Sequence, residues 1–426
     1  MDFVQYATPL HSEPTTAAGT PSAGGPSVDN RQRAGTAQHR APSDEIREFV
    51  LAANVAAQDA TQDPAASAAP ERVVSQLAGS AESATYLFAL CDSAAIGEVS
   101  ELGYPLISST ENPQHSGIKG HAWPGGEPSF AGFIHLTLPL LEDTDIAEIE
   151  CVLDLDLLPL PGSPASEATH TVTAMLVAEA EKIATRLGRG RAQVTLHHGS
   201  AYPVSADPFH AAIVAAGYLR SVGHIQAFTP RATTPSTATT ASATDTDTTE
   251  AFPAKHGYRL DTWCDYDIPE AYAAQVRELL TVASVDVPSG ELELEPIEWT
   301  PTRMAHAAQR LRARDGTTLL VALVDKHNDE ICALTEIARH RGADPTVAEW
   351  TLTVTGRSHR HQGLATTVKT QALRTMHEHW PSVERVYGSI PEQPGYMRAI
   401  YRRLQATELS CSSTWEKRLL PAGTEK

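Results

Sequence analysis

A long segment near the middle of the chain contains almost no large apolar side chains. Residues 229–255 include the run TTPSTATTASATDTDTTE, which is dominated by Thr, Ser and Ala. Such a segment cannot bury enough apolar surface to offset the entropy lost on ordering, so we predict a disordered linker. At 426 residues the chain also exceeds what one hydrophobic core usually organises. We therefore predict two domains, at 45–228 and 256–426, and a Ser-, Gly- and Pro-rich start predicts a disordered tail over 1–44.

The two segments that flank the linker repeat one order of elements. In each, helical periodicity is followed by three strand-like runs and then by an alternation of helices and strands. The repetition indicates an internal duplication of one α/β unit. We expect each unit to contain a mixed, mostly antiparallel sheet flanked by helices.

Charge and cysteine content limit the classes of partner. Lys and Arg number 33 against 52 Asp and Glu, a formal net charge of -19, which argues against nucleic acid and anionic membranes as partners. A small cationic substrate such as an amine is compatible with this charge. The five cysteines form no CxxC pair, so we expect neither a disulfide framework nor a metal site. Without a signal pattern or an apolar run of roughly 18 residues, a cytoplasmic protein is predicted.

The clearest chemical motif is a turn between a predicted strand and a predicted helix in the second segment. The strand EWTLTVT runs into GRSHRHQGLA, where Arg360, Gly363 and Ala365 form an R-x-x-G-x-A pattern. Small residues let phosphate oxygens approach the backbone, and the first N–H groups of a helix attract anions. Arg360 adds positive charge beside a pyrophosphate. In isolation, the same pattern is typical of ordinary helix capping.

In its context this turn resembles the pyrophosphate signature, Q/R-x-x-G-x-G/A, of the GNAT (Gcn5-related N-acetyltransferase) superfamily. The chain is also similar to tandem two-GNAT proteins of actinobacteria, over most of 256–420 and more faintly over 80–228. Their second domain reads roughly T-x-V-x-x-x-H-R-x-x-x-L-G followed by a Lys. The corresponding residues here are Thr353, Thr355, His359, Arg360, Leu364, Ala365 and Lys369.

The resemblance implies two tandem GNAT-like domains and an N-acetyltransferase that uses acetyl-CoA as co-substrate. A small-molecule amine would attack the thioester directly, without an acyl-enzyme, in a catalytic domain at 256–426. In the family the fourth strand diverges from the fifth, and its backbone binds the pantetheine arm. The implied CoA contacts are Thr353, Val354 and Thr355 on the strand and Arg360, His361, Gln362, Gly363, Leu364, Ala365 and Thr366 at the turn and helix.

The resemblance also implies a carboxylate base and a tyrosine acid. Two residues are candidates for the base: Glu349, at the start of the motif strand, and Glu336, at the end of the preceding strand. A glutamate at the end of a strand is also commonly a solvated residue without a catalytic role. Tyr401 matches the tyrosine that protonates the departing thiolate in the family. The same position is also compatible with a half-buried tyrosine that only packs against the helix. Pro394 stands where the family usually has an Asn, and the Gly-Phe pair that usually ends this helix is absent.

The first segment lacks the turn signature. After its third strand the chain reads PLPGSPASEATHTV, with three prolines, which predicts a degenerate, structural GNAT copy. Two further functions stay open: a non-catalytic CoA-binding or interaction module, and a mycothiol-synthase-like enzyme. The sequence leaves the acceptor amine and the oligomeric state undetermined.

Overall fold

A computed structural model describes residues 1–9, 41–65, 67–160, 162–231, 257–313, 315–340 and 344–420. The predicted linker at 229–255 lies outside these ranges except for its first three residues. Its predicted start is wrong, because Thr229 and Pro230 end a strand and Thr229 is buried. Most of the predicted tail at 1–44 lies outside them too. Within the described residues, no helix combines the length and apolar character that a bilayer crossing needs.

The described α-helices flank a sheet on both faces. Their bounds are α1 (Asp44–Thr61), α2 (Pro70–Leu77), α3 (Glu167–Arg186), α4 (His210–Ala215), α5 (Glu270–Asp286), α6 (Pro301–Ala313), α7 (Leu364–His379) and α8 (Tyr396–Arg403).

The described strands share one 13-stranded sheet, apart from a small β3–β5 pair. Their bounds are β1 (Asp2–Tyr6), β2 (Ser83–Cys91), β3 (Ile96–Gly97), β4 (Leu106–Ile107), β5 (His121–Ala122), β6 (Phe130–Pro139), β7 (Ile146–Leu153), β8 (Arg191–Gly199), β9 (Leu219–Pro230), β10 (Tyr258–Cys264), β11 (Thr317–Asp325), β12 (Ile331–Arg339), β13 (Val347–Thr355), β14 (Arg385–Pro391) and β15 (Thr407–Arg418).

The strand order along this sheet is β10-β11-β12-β13-β14-β9-β15-β8-β7-β6-β2-β1-β4. Most neighbours are antiparallel, whereas β7–β8, β13–β14 and β1–β4 are parallel. Strands such as β11 are buried along nearly their whole length because helices cover both faces. The predicted class, α/β with a mixed, mostly antiparallel sheet flanked by helices, is confirmed.

One part of the tail prediction is wrong. Residues Asp2–Tyr6 form β1, which pairs antiparallel with β2 and buries Val4 and Tyr6. The composition that predicts disorder holds for residues 11–44, whereas the start of the chain contains the strand-forming residues Phe3, Val4 and Tyr6.

The two halves exchange their last strands. β9 ends the N-terminal half, yet it lies between β14 and β15, and β15 lies between β9 and β8. Ile225 of β9 packs into the core of the C-terminal half, and Trp415 of β15 packs into the core of the N-terminal half. The two predicted domains therefore form one continuous sheet, because each completes the other.

Ion pairs add to this junction. Arg303 donates to Glu142 at 2.9 Å, Arg310 donates to Glu82 at 2.6 Å, and Arg385 donates to Asp63 at 2.8 Å. Only 4% of the Asp63 side chain is exposed, so its pair with Arg385 is shielded from solvent. These contacts fix the orientation of the two halves.

Candidate functional site

β13 and β14 separate soon after they begin. Their parallel pairing runs from Val347–Arg385 to Glu349–Tyr387 and stops there, while β13 continues to Thr355 beside β12. The sequence-predicted residues Thr353, Val354 and Thr355 lie in this diverging part. A strand edge without a ladder partner offers backbone N–H and C=O groups to a ligand.

A β-bulge lies where the strands part. Leu352 of β13 pairs with Glu336 of β12, and Trp350 pairs with Ile337, so Thr351 is an extra residue in β13. The Thr351 hydroxyl donates to a carboxylate oxygen of Glu336 at 2.6 Å. The bulge therefore positions a side chain that orients the Glu336 carboxylate.

The predicted turn opens α7 with a free N-terminus. Gly363, in the left-handed region with φ 78°, is the N-cap and makes no side-chain hydrogen bond to the helix. No atom lies within 4 Å of the position that a Cβ at Gly363 would take. The first turn of α7 carries no acidic residue, and the side chains of His361 and Gln362 are exposed. Leu364 is buried and anchors the helix, while Ala365 and Thr366 are half-buried. The helix thus presents N–H groups and its positive dipole end to solvent.

Two arginines beside the turn share one carboxylate that sequence reasoning missed. Arg357 donates to both oxygens of Asp286, at 3.0 and 2.8 Å, and Arg360 donates to the same carboxylate. The hydrogen bonds from Arg357 and then Arg360 lower the pKa of Asp286 to about 2. Because Asp286 ends α5, far upstream of the turn, no local pattern in the sequence indicated this contact.

Tyr401 lies at the point of divergence on the α7 side of the sheet. A Cβ at Gly388 would contact the Tyr401 hydroxyl, and Gly388 and Trp350 directly follow the last paired residues of β14 and β13. The Nζ of Lys369 lies 3.4 Å from that hydroxyl and 3.7 Å from the centre of the Trp350 ring. Burial raises the pKa of Tyr401 and lowers that of Lys369 well below 10.5. Lys369 appeared in the sequence only as part of a family pattern, without a role.

The two candidate bases, Glu336 and Glu349, lie on the face of the sheet opposite to Tyr401. Glu349 pairs across β12 with Ala338, two residues beyond Glu336, so both carboxylates share a face. Glu336 is 5% exposed; burial raises its pKa, and Tyr266 also donates a hydrogen bond to it. Glu349 is exposed. Glu336 lies level with the diverging strands, whereas Glu349 occupies the last paired position.

The N-terminal half has the same divergence but a different helix start. Pairing of β7 with β8 ends at Ile149–Val194. The N-terminus of α3 is capped by Ser166, whose hydroxyl accepts from the Thr169 N–H at 3.0 Å, and Glu167 lies in the first turn. A side-chain oxygen and an acidic residue therefore occupy the position that is open at α7.

No family model matches the sequence, and no curated protein matches it. The structure is similar to a tandem GNAT protein from the clavulanic acid biosynthesis pathway, with a TM-score of 0.57 and 18% identity, over 90% of this chain and 98% of that chain. It is also similar to a GCN5-related N-acetyltransferase from Sphaerobacter thermophilus, with a TM-score of 0.54 and 13% identity, over 89% of this chain and 95% of that chain. The chain has the tandem GNAT fold. The resemblance seen in the sequence is thereby confirmed.

A third similar structure belongs to a larger protein. It contains a GCN5-related glucosamine N-acetyltransferase region in a fungal multi-domain β-N-acetylglucosaminidase. The TM-score is 0.51 at 8% identity, over 88% of this chain and 37% of that chain. What the three similarities show for this chain is its fold.

Proposed function

We propose that this protein is an acetyl-CoA-dependent N-acetyltransferase whose active site lies in the C-terminal half and whose acceptor is a small-molecule amine. The observation that carries the proposal is the open N-terminus of α7, which directly follows a strand that diverges from its neighbour. The similar structures named as N-acetyltransferases support the same reaction class.

The residues at the turn fit the pyrophosphate of acetyl-CoA. The open space at Gly363 admits phosphate oxygens close to the backbone N–H groups of α7. Arg357 and Arg360, held by Asp286, place positive charge beside that space. The diverging edge at Thr353–Thr355 would hold the pantetheine arm. Acetyl-CoA, when bound, supplies an acetyl thioester for transfer.

Glu336 and Tyr401 are the proposed proton carriers. The raised pKa of Glu336 suits a base that accepts a proton from an ammonium group near neutral pH. Tyr401 stays protonated at neutral pH because burial raises its pKa, so its hydroxyl is a donor for the sulfur of the departing CoA. The Glu336 carboxylate and the Tyr401 phenol lie on opposite faces of the sheet. The proton is therefore removed from the amine on one face and delivered to the CoA sulfur on the other.

Direct attack by the amine is favoured because no cysteine described in the C-terminal half is activated. Burial raises the pKa of Cys332 to about 11 and also raises the pKa values of Cys264 and Cys411. A thiol nucleophile for an acyl-enzyme requires a lowered pKa. The amine of the acceptor is therefore the proposed nucleophile.

A substrate screen tests the proposal. Full-length protein is incubated with acetyl-CoA and a panel of polyamines, aminoglycosides, amino-sugar thiols and peptides, and release of free CoA is measured. Acceptor-dependent release together with an acetylated product supports the proposal. CoA binding without release for any acceptor would instead support the non-catalytic module, and release with amino-sugar thiols alone would support the mycothiol-synthase-like alternative.

A matched pair of glycine variants tests the cofactor site. Gly363→Asp places a carboxylate in the phosphate space, so CoA affinity should fall at least roughly tenfold by charge repulsion. Gly217→Asp is the control, because Gly217 also has a positive φ (88°) and open space around its Cβ position. Equal CoA affinity for the two variants in calorimetry would overturn the assignment.

A further inference from the structure

The N-terminal half contains a cavity of about 390 Å³ between the diverging strands β7 and β8. Its walls are Glu150–Leu153 of β7 and Val194–Gly199 of β8. Ala53, Ala56, Ala57 and Ala60 of α1 form one side, since their spacing places them on one helical face. The volume lies within the range of small-molecule sites, and small side chains on α1 keep the space open.

A second space adjoins this cavity on the face of the sheet that α1 covers, where Phe49 of α1 stacks on the groove residue His135. A groove of about 640 Å³ lies between the sheet and a C-terminal-half segment that includes Val287, Leu292 and Leu294. Glu150, Thr195 and His197 line both spaces, so the cavity and the groove are adjacent. The cavity therefore lies next to the junction of the two halves, where Val287, Leu292 and Leu294 line the groove.

All the charged side chains that line these spaces, other than histidines, are acidic. They are Asp59, Glu150 and Asp207 in the cavity and Asp143, Glu148 and Glu150 in the groove. None of the described residues that line either space is Lys or Arg. A polyphosphate ligand such as CoA would find no positive partner there, and the capped N-terminus of α3 gives it no cradle.

Glu150 and Asp207 are two of the carboxylates that line the cavity. Asp207 accepts backbone N–H groups of His197 and Phe209, both at 2.8 Å, and makes no ion pair with a described Lys or Arg. Burial raises its pKa to about 6, so it is largely ionised above neutral pH. Glu150 lies 3.5 Å from Nδ1 of His135, and this hydrogen bond lowers its pKa. The nearby His197 stays neutral because burial lowers its pKa.

We propose that the N-terminal half binds a small amine with an apolar body, its ammonium held by Glu150 and Asp207 and its apolar part against α1 and β8. The acidic lining favours a cation, and the apolar walls favour a hydrocarbon body over a fully polar polyamine. This site is separate from the CoA site proposed at α7. It assigns a binding role to the N-terminal half, which lacks the phosphate-binding signature.

Calorimetry with octylamine, octan-1-ol and octanoate on the full-length protein tests the head-group preference. Octylamine should bind at one site per chain, and octanoate should bind at least tenfold more weakly. Glu150→Gln combined with Asp207→Asn should reduce octylamine affinity to that of octanol. Equal binding of octanoate and octylamine, or no binding of octylamine, would overturn the proposal.

Cavity-filling variants test the location. Ala57→Phe should abolish octylamine binding, while Leu51→Phe, on the same helix at a side chain that is 54% exposed, should leave it unchanged. If thermal unfolding shows that Ala57→Phe is misfolded, the smaller change Ala56→Val replaces it and should weaken binding at least fivefold. Octylamine binding should persist in Gly363→Asp, so failure of this site and failure of the CoA site are separate results. Retained binding in a folded cavity-filled variant would place the amine elsewhere and refute the site.

Discussion

The Nζ of Lys369 lies 3.4 Å from the hydroxyl of Tyr401, and both side chains are almost fully buried. Trp350 covers the same nitrogen with the face of its ring. Among the described residues no carboxylate forms an ion pair with Lys369, so no counter-ion offsets the cost of removing the amine from water. A costly buried group beside a candidate acid is typical of a site where stability is sacrificed for function.

Lys369→Met should make the protein more stable and less active. At pH 7 the free energy of unfolding should rise by about 1–3 kcal/mol, because a buried polar group without a carboxylate partner leaves the core. The folded pKa of Lys369 lies below its unfolded value, so the wild type gains stability as pH rises through that window. The advantage of the methionine variant should therefore shrink between pH 7 and pH 10, as measured by denaturant unfolding.

The turnover of Lys369→Met tests whether Lys369 has a role in catalysis or is only a buried residue that the fold tolerates. Turnover in the CoA-release assay should fall roughly tenfold or more, since Lys369 no longer positions the Tyr401 hydroxyl. Lys182→Met, at a lysine whose side chain is 62% exposed, is the control and should change neither quantity appreciably. A stabilised Lys369→Met protein with full turnover would show that the lysine has no positioning role.

Gly388→Ala should displace Tyr401. The new Cβ would contact the Tyr401 hydroxyl and lie 3.1 Å from the Trp350 ring, so the phenol must move. Turnover should fall about 10²-fold with little change in CoA affinity, as expected when a proton donor is misplaced. In the double variant with Tyr401→Phe the losses should not add, because both changes remove one interaction. Gly395→Ala, with open space at its Cβ position, is the control; additive losses would contradict the assignment.

Glu336→Gln and Glu349→Gln should separate the two candidate bases. Glu336→Gln should lower kcat/KM about 10²–10⁴-fold, because the carboxylate with the raised pKa is lost. In the wild type the acidic limb of the pH–rate profile should lie above the ordinary glutamate pKa, and this limb should vanish in Glu336→Gln. Glu349→Gln should keep both the limb and most of the rate. The reverse pattern would assign the base to Glu349.

Local spacing was enough to predict the α7 turn, because everything that defines it lies within a few residues. Gly363 permits the left-handed backbone, Leu364 starts the buried face, and the preceding strand supplies the direction. The same holds for most strands and helices, whose periodicity follows from which side chains are buried. The tandem arrangement was also visible, since the order of elements repeats.

Contacts between distant segments were not predictable in this way. Asp286 holds Arg360 across a separation that no periodicity encodes, and the cavity beside Ala57 depends on how β7 and β8 diverge. The alternation of apolar and polar residues identifies a strand, but it does not show which strand lies next to it in the sheet. The exchange of β9 and β15 therefore left no signal, although Ile225 and Trp415 pack into the opposite cores.

The strand exchange predicts that the two halves fold only together. Residues 1–240 and 241–426, co-expressed as separate chains, should copurify and elute as one complex in gel filtration. Expressed alone, each fragment leaves a strand edge exposed, β8 in one and β14 in the other, and should aggregate. Ile225→Asp should abolish copurification because it places a charge in the C-terminal core, whereas Leu219→Asp, at a residue of the same strand that is 74% exposed, should not. Two separately soluble fragments with cooperative unfolding transitions would show instead that each half closes its own sheet and that the exchanged strands are dispensable.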